Sequence, residues 1–182
     1  MPGTIPIASI VADSAEATGL KWAAPAGGGK VKQIVYGTLT STASTTSTSF
    51  TDTGLTASIT PTSASNRIQV LVTVCEGLSG TSASSFFTLA NGSGTNLINP
   101  DSPGSRTIGY SRTETQSILV YDMWATSLVF NHAPATTSSY TYKIQYRVES
   151  GATAFVNRSS NDANAVYTTR GVSTITLIEY EV

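Results

Sequence analysis

Residues 140–149 alternate without a break. Tyr140, Tyr142, Ile144, Tyr146 and Val148 fall on one side of an extended chain, and Thr141, Lys143, Gln145, Arg147 and Glu149 fall on the other. Such a period of two describes a strand with one apolar face and one solvated face. No segment after Gly29 carries a convincing helical period of 3.6 residues. A chain built from strands of this kind must close its apolar faces sheet against sheet, which leaves a sandwich or a barrel.

The other segments agree. Lys30–Leu39 reads as a strand with apolar residues on both faces, and Thr40–Ser49 as a loop or edge. Phe50–Pro61 reads as two short strands broken at Asp52-Thr53-Gly54. Arg67–Glu76 has the pattern of a central strand, with Ile68, Val70, Val72 and Val74 on one face and Leu71 and Cys75 on the other. Ser84–Ala90, Ala154–Val156 and Val172–Val182 are further strands, the last with Ile175, Leu177 and Ile178 spread over both faces. Ser117–Trp124 and Thr126–His132 form one long strand, or two with a bend near Asp122. The expected fold is all-β: an antiparallel jelly-roll-like sandwich of about eight strands.

The run Ala23-Ala24-Pro25-Ala26-Gly27-Gly28-Gly29 divides the chain. Pro25 fixes its own φ and biases Ala24 away from helix, while consecutive glycines have the most backbone freedom to lose on ordering. Residues 1–29 are therefore expected to be an extended attachment arm with its hinge, and residues 30–182 the sandwich domain. Pro2 and Pro6 with Ile5, Ile7, Ile10 and Val11 suit an extended apolar peptide that lies on a partner. Asp13–Ala17 suits a single helical turn, with Asp13 as N-cap and Gly19 as terminator.

Charged residues are 12% of the 182 and the formal net charge is −1. There is no basic stripe for nucleic acid and no cationic patch for an anionic membrane surface. No apolar run is long enough for a membrane helix. Low charge favours association, so much of the surface is expected to be covered by further copies. Cys75 is the only cysteine, which excludes an intrachain disulfide and suits synthesis in a reducing compartment. It is expected to be a small buried apolar residue. The N-terminus lacks the basic region of a signal peptide, so a route out of the cell other than secretion is expected.

Nothing in the sequence assembles a catalytic centre. His132 is the only histidine, and it would need Asp122 or Asp162 and a suitably placed serine to form a triad. It is expected at a strand end on the surface. No cofactor is expected, and two His or Cys residues are too few for zinc. The loop Asn157–Asn164 is oxygen-rich but does not match a calcium loop, and a self-bonded Asx-type loop fits it better.

Val11-Ala-Asp-Ser-Ala-Glu-Ala-Thr-Gly-Leu-Lys-Trp-Ala-Ala-Pro25 with its glycines resembles the joint in tail-fibre and other virion proteins of phages, notably those of cyanobacteria and marine bacteria. Within it Leu20 and Trp22 belong to the segment Ala17–Trp22 that stands before such heads. Asp52–Pro61, Asn66–Val72, Ala133–Lys143, Phe155–Arg158 and Ser173–Glu179 are similar to successive parts of those heads. The resemblance runs over nearly the whole chain and rests on the order of degenerate Ser/Thr/Gly motifs. It implies a β-sandwich head that is a homotrimer. This chain departs from it in carrying almost nothing before the joint, so a capsid decoration protein or a short head fibre fits as well as a tail-fibre head.

Three functions follow as expectations. The first is a non-enzymatic virion protein on the particle surface. Its arm (Ile5, Ile7, Ile10, Val11, Leu20 and Trp22) would dock on other virion proteins, and its body would meet a host surface glycan or protein, or clamp capsid neighbours. The second is a carbohydrate-binding module, and the third a glycan-cleaving enzyme, which lacks an evident pair of carboxylates. Asn91–Arg112 is the longest irregular region, and loops of that length usually have a role. Its Asn96, Asn99, Asp101, Arg106, Tyr110 and Arg112 have the chemistry of a contact loop.

Overall fold

The computed structural model describes residues 9–12, 20–23, 30–80, 82–101, 104–115, 120–149 and 151–182. Twelve strands are present among them. They are β1 (Ser9–Ala12), β2 (Leu20–Ala23), β3 (Val31–Leu39), β4 (Ala43–Thr45), β5 (Thr51–Ile59), β6 (Arg67–Ser79), β7 (Ala83–Asn91), β8 (Ser111–Thr115), β9 (Trp124–His132), β10 (Tyr140–Val148), β11 (Thr153–Val156) and β12 (Ser173–Tyr180).

Two antiparallel sheets pack face to face. One runs β5-β10-β7-β8. The other runs β3-β12-β6-β9, with β11 and β4 continuing it alongside the far end of β6. Apart from β4 and β11, each sheet takes four of the eight strands from β3 onward, and the chain crosses between the sheets after each of them except β7, which is followed by its own neighbour β8. That order is a jelly roll. The first and last of these strands, β3 and β12, are neighbours in one sheet.

Alternation explains the core. On β6, Ile68, Val70, Val72 and Val74 turn inward and are buried. On β10, Tyr142, Ile144, Tyr146 and Val148 do the same from the opposite sheet. Leu55 and Ile59 of β5, Phe87 and Leu89 of β7, and Ile175 and Leu177 of β12 complete the layer. Each such side chain contributes about 1.5–3 kcal/mol by leaving water.

The structure corrects several sequence expectations. Phe50–Pro61 is one strand, β5, not two. Lys143 pairs with Thr56 and Gln145 with Asp52, so the extra residues around Thr53-Gly54 form a bulge. Gly54 takes φ +92° there. Thr53 accepts from Leu55 N at 3.1 Å and donates to Ile144 O at 2.8 Å, which keeps the strand in register. Of the strand expected over Ser117–Trp124, residues 120–123 form a turn and an irregular link, Trp124 opens β9, and residues 117–119 lie outside the described ones. The tract Thr40–Ser49 contributes β4, paired with β11. The alternation on β6, β10 and β12 is as expected.

The N-terminal segment contains a pair of strands that the extended-arm expectation missed. β1 and β2 pair with each other, with Ile10 opposite Trp22, Val11 opposite Lys21 and Ala12 opposite Leu20. Ile5 and Ile7, and the helical turn expected over Asp13–Ala17, lie outside the described residues.

Candidate functional site

The contact loop expected over Asn91–Arg112 runs along the edge of β7 that faces away from β10, beyond the stretch paired with β8, and its residues separate into two kinds. The first kind builds the loop. Asn91 Oδ1 accepts from Ser93 N, Ser93 Oγ and Thr95 N at 3.1, 2.7 and 2.8 Å, which closes a tight turn. The returning chain pairs Asn96 with Ala90, and Leu97 N donates to Leu89 O at 2.8 Å. Asn96 Oδ1 accepts from Thr88 Oγ1 at 2.6 Å and from Ile98 N at 2.9 Å, so this side chain ties the loop to β7 instead of facing outward.

Tyr110 belongs to the same kind. Its N–H donates to Phe87 O at 2.9 Å and its ring lies 6.4 Å from that of Phe87. Its hydroxyl is enclosed and has no hydrogen-bond partner among the described residues. Burial, and then the nearby charge of Glu76, push the phenol well above its ordinary range. The outward aromatic face expected of Tyr110 is therefore turned inward. Gly109 allows this close approach, since a Cβ there would stand 2.6 Å from Phe87 O.

The second kind faces solvent. Asn99, Asp101, Arg106 and Arg112 are exposed. Arg106 and Arg112 line one groove of about 420 Å³ with Phe86, Thr107, Gly109, Tyr110 and Ser111. Arg112 is held by Glu114 Oε2 at 2.6 Å and Ser84 Oγ at 2.7 Å. β8 places it directly opposite Phe86, which in turn stands opposite Arg147 of β10. Both guanidinium carbons lie against the Phe86 ring, at 5.9 Å and 5.2 Å from its centroid. Contacts of this length are favourable cation–π pairs. Sequence reasoning missed Phe86 and Arg147, although the alternation of β10 and β7 sets both on the outer face. It also missed β8, which sets the register of Arg112.

Between the sheets lies a second polar cluster. Glu76 of β6 is fully buried. Its carboxylate accepts from Thr113 Oγ1 at 2.6 Å, from Ser85 Oγ at 3.1 Å and from Thr126 Oγ1. Burial raises its pKa and the three hydroxyls only partly offset that.

The remaining candidates lie elsewhere in the sandwich. His132 ends β9 as expected, but it is half-buried among Phe130, Tyr140 and Tyr142, and its Nδ1 is 2.8 Å from Tyr142 Oη. Asp162 instead pairs with Arg170 at 2.7 Å. Cys75 is partly exposed, since its side of β6 is the outer face. The loop after β11 is self-bonded as expected: Asn161 Oδ1 accepts from Ala163 N at 2.9 Å and Ser159 Oγ donates to Asn161 O at 2.7 Å.

No protein-family model matches the chain, and no curated protein matches it in sequence.

Proposed function

We propose that this chain is a structural protein of a phage virion, a trimeric jelly-roll knob. Its N-terminal segment docks on other virion proteins and its loops meet the host surface. The observation that carries the reading is the outer face of the β3-β12-β6-β9 sheet. Tyr36, Thr176, Leu71 and Val129 stand side by side across all four strands. Beside that row, Ile34 is opposite Ile178. Tyr36 is 72% exposed, Val129 64% and Ile34 45%, so both edge strands of this sheet present large apolar side chains to solvent. A sandwich covers one face of each sheet, and burying the second takes another copy. The low charge of the chain and the resemblance to trimeric fibre heads support the same assembly.

Sedimentation of the full chain tests the assembly: three times the chain mass of 18.9 kDa is expected, and a stable monomer at micromolar concentration overturns it. Antibody labelling of native particles in negative stain tests the location. Label on the tail supports the host-facing role, label on the capsid makes the chain a decoration protein, and absence of label refutes the virion assignment.

A further inference from the structure

We propose that the arginine-lined groove on the outer face of the β5-β10-β7-β8 sheet is a subsite for a carboxylate-bearing sugar of an acidic polysaccharide. The inference rests on the host-facing reading above and adds the class of ligand.

The chain has ten Lys and Arg residues and a net charge of −1, yet Arg106, Arg112 and Arg147 converge on or beside one groove. Cross-strand pairing places Arg147 and Arg112 on either side of Phe86. Like charges set this close repel, and the ring accommodates them by drawing both guanidiniums to it. Glu114 balances Arg112. No carboxylate pairs with Arg147 among the described residues, and its Nε is buried without a partner. Arg147, beside the groove across the Phe86 ring, is therefore a charge without a carboxylate among the described residues, and an anion in the groove relieves it.

The shape favours a sugar acid over other anions. Guanidinium forks match a carboxylate edge on, with two parallel hydrogen bonds. Thr107 brings a hydroxyl to the groove, and the flush backbone at Gly109 leaves it open. A volume of about 420 Å³ lies within the range of small-ligand sites. A nucleic acid would need a run of phosphate contacts, and no basic stripe extends from this groove. A uronate polymer presents the same carboxylate many times, so three copies of one weak site engage it together and gain about 10²–10⁴ in avidity.

The test is titration of the full chain with polygalacturonate, dextran sulfate and neutral dextran, with sedimentation run on the same samples. Polygalacturonate should bind, and neutral dextran should not. Arg106→Ala and Arg147→Gln should each weaken binding about 10-fold or more. Lys143→Ala, on the same sheet face outside the groove, should leave binding unchanged, and melting temperatures report whether each variant folds. Equal binding of neutral dextran, binding of dextran sulfate alone, binding unaffected by both arginine variants, or absence of any binding overturns the proposal. A trimer that ignores polygalacturonate refutes the subsite and leaves the assembly standing. A monomer that binds it and loses binding in Arg106→Ala supports the subsite and refutes the trimer.

Discussion

Asn66 Nδ2 donates to Glu179 Oε1 across 2.6 Å, joining the loop before β6 to the last strand across 113 positions of sequence. Both residues are buried. Thr62 adds its N–H at 2.7 Å and its hydroxyl at 2.8 Å, and Gln33 Nε2 donates to the other oxygen at 2.6 Å. Burial alone would raise the pKa of Glu179, but these donors outweigh it and hold the carboxyl at about 2. The ionised form is thus favoured by folding. Its contribution is complete above the ordinary pKa of 4.5 and is lost as pH falls from there through about 2. A shift of this size corresponds to about 3 kcal/mol. Glu179→Gln should cost a similar amount at pH 7 and flatten the acid limb of a urea-unfolding series between pH 5 and 2. An acid limb unchanged in the variant would show that another group controls it.

Glu76 acts in the opposite sense. Burial raises its pKa, and the hydroxyls of Thr113, Thr126 and Ser85 do not restore it. The protonated form is favoured by folding. Its contribution is fully present below the ordinary pKa of 4.5 and is lost as pH rises through the folded value. Glu76→Gln keeps a neutral side chain of the same shape. It should be more stable than the parent at pH 8 and nearly equal to it at pH 4, as measured by denaturant midpoints. A uniform loss at both pH values would mean that the carboxylate is wanted in its charged form.

These two glutamates show how far the sequence is legible. Both lie at inward positions of strands that alternation identifies, and the core valines and tyrosines around them follow from the same count. What alternation does not reveal is a partner distant in sequence. Gln33 reaches Glu179 because β3 pairs with β12, Thr62 and Asn66 reach it because they stand just before β6, which pairs with β12 on its other side, and Thr113 reaches Glu76 only through β8. β8 was missed because Ser111-Arg-Thr-Glu-Thr115 has no apolar alternation; pairing with β7 makes it a strand. The groove was partly legible for the same reason. Arg106 and Arg112 stand out in a polar loop, whereas Phe86 and Arg147 join them only through register. Tyr110 failed as an outward contact because a short link to Phe87 draws its ring under the loop.

Gly37 and Gly104 should respond differently to alanine. A Cβ on Gly37 would collide with the carbonyl oxygen of Thr56, which is backbone of the opposite sheet, and would stand 2.7 Å from Ile175 Cγ2. Neither the β3 nor the β5 backbone can move without opening the core, so Gly37→Ala should cost about 3 kcal/mol or more. Gly104 has open space around it and φ +60°, so only the left-handed conformation opposes a side chain, at about 1 kcal/mol. Thermal unfolding of the two variants checks the order. Equal losses would mean that β3 shifts to accept the methyl group.

Leu71 and Val72 are adjacent on β6 and face opposite ways, which separates folding from assembly. Val72 is 3% exposed and lies in the core, whereas Leu71 is half-buried in the outer row between Thr176 and Val129. Val72→Ala leaves a small cavity and should cost about 2 kcal/mol of stability without changing the mass in sedimentation at a temperature where it stays folded. Leu71→Lys places a charge at the centre of the face assigned to neighbouring copies. An unpaired charge enclosed between copies is costly enough to prevent association, but on a monomer the lysine keeps its head in water. Leu71→Lys should therefore sediment as a folded monomer with its strand circular dichroism intact. A trimer that persists in Leu71→Lys would move the assembly interface to another face, and dissociation in Val72→Ala alone would mean that assembly follows core stability instead of this row.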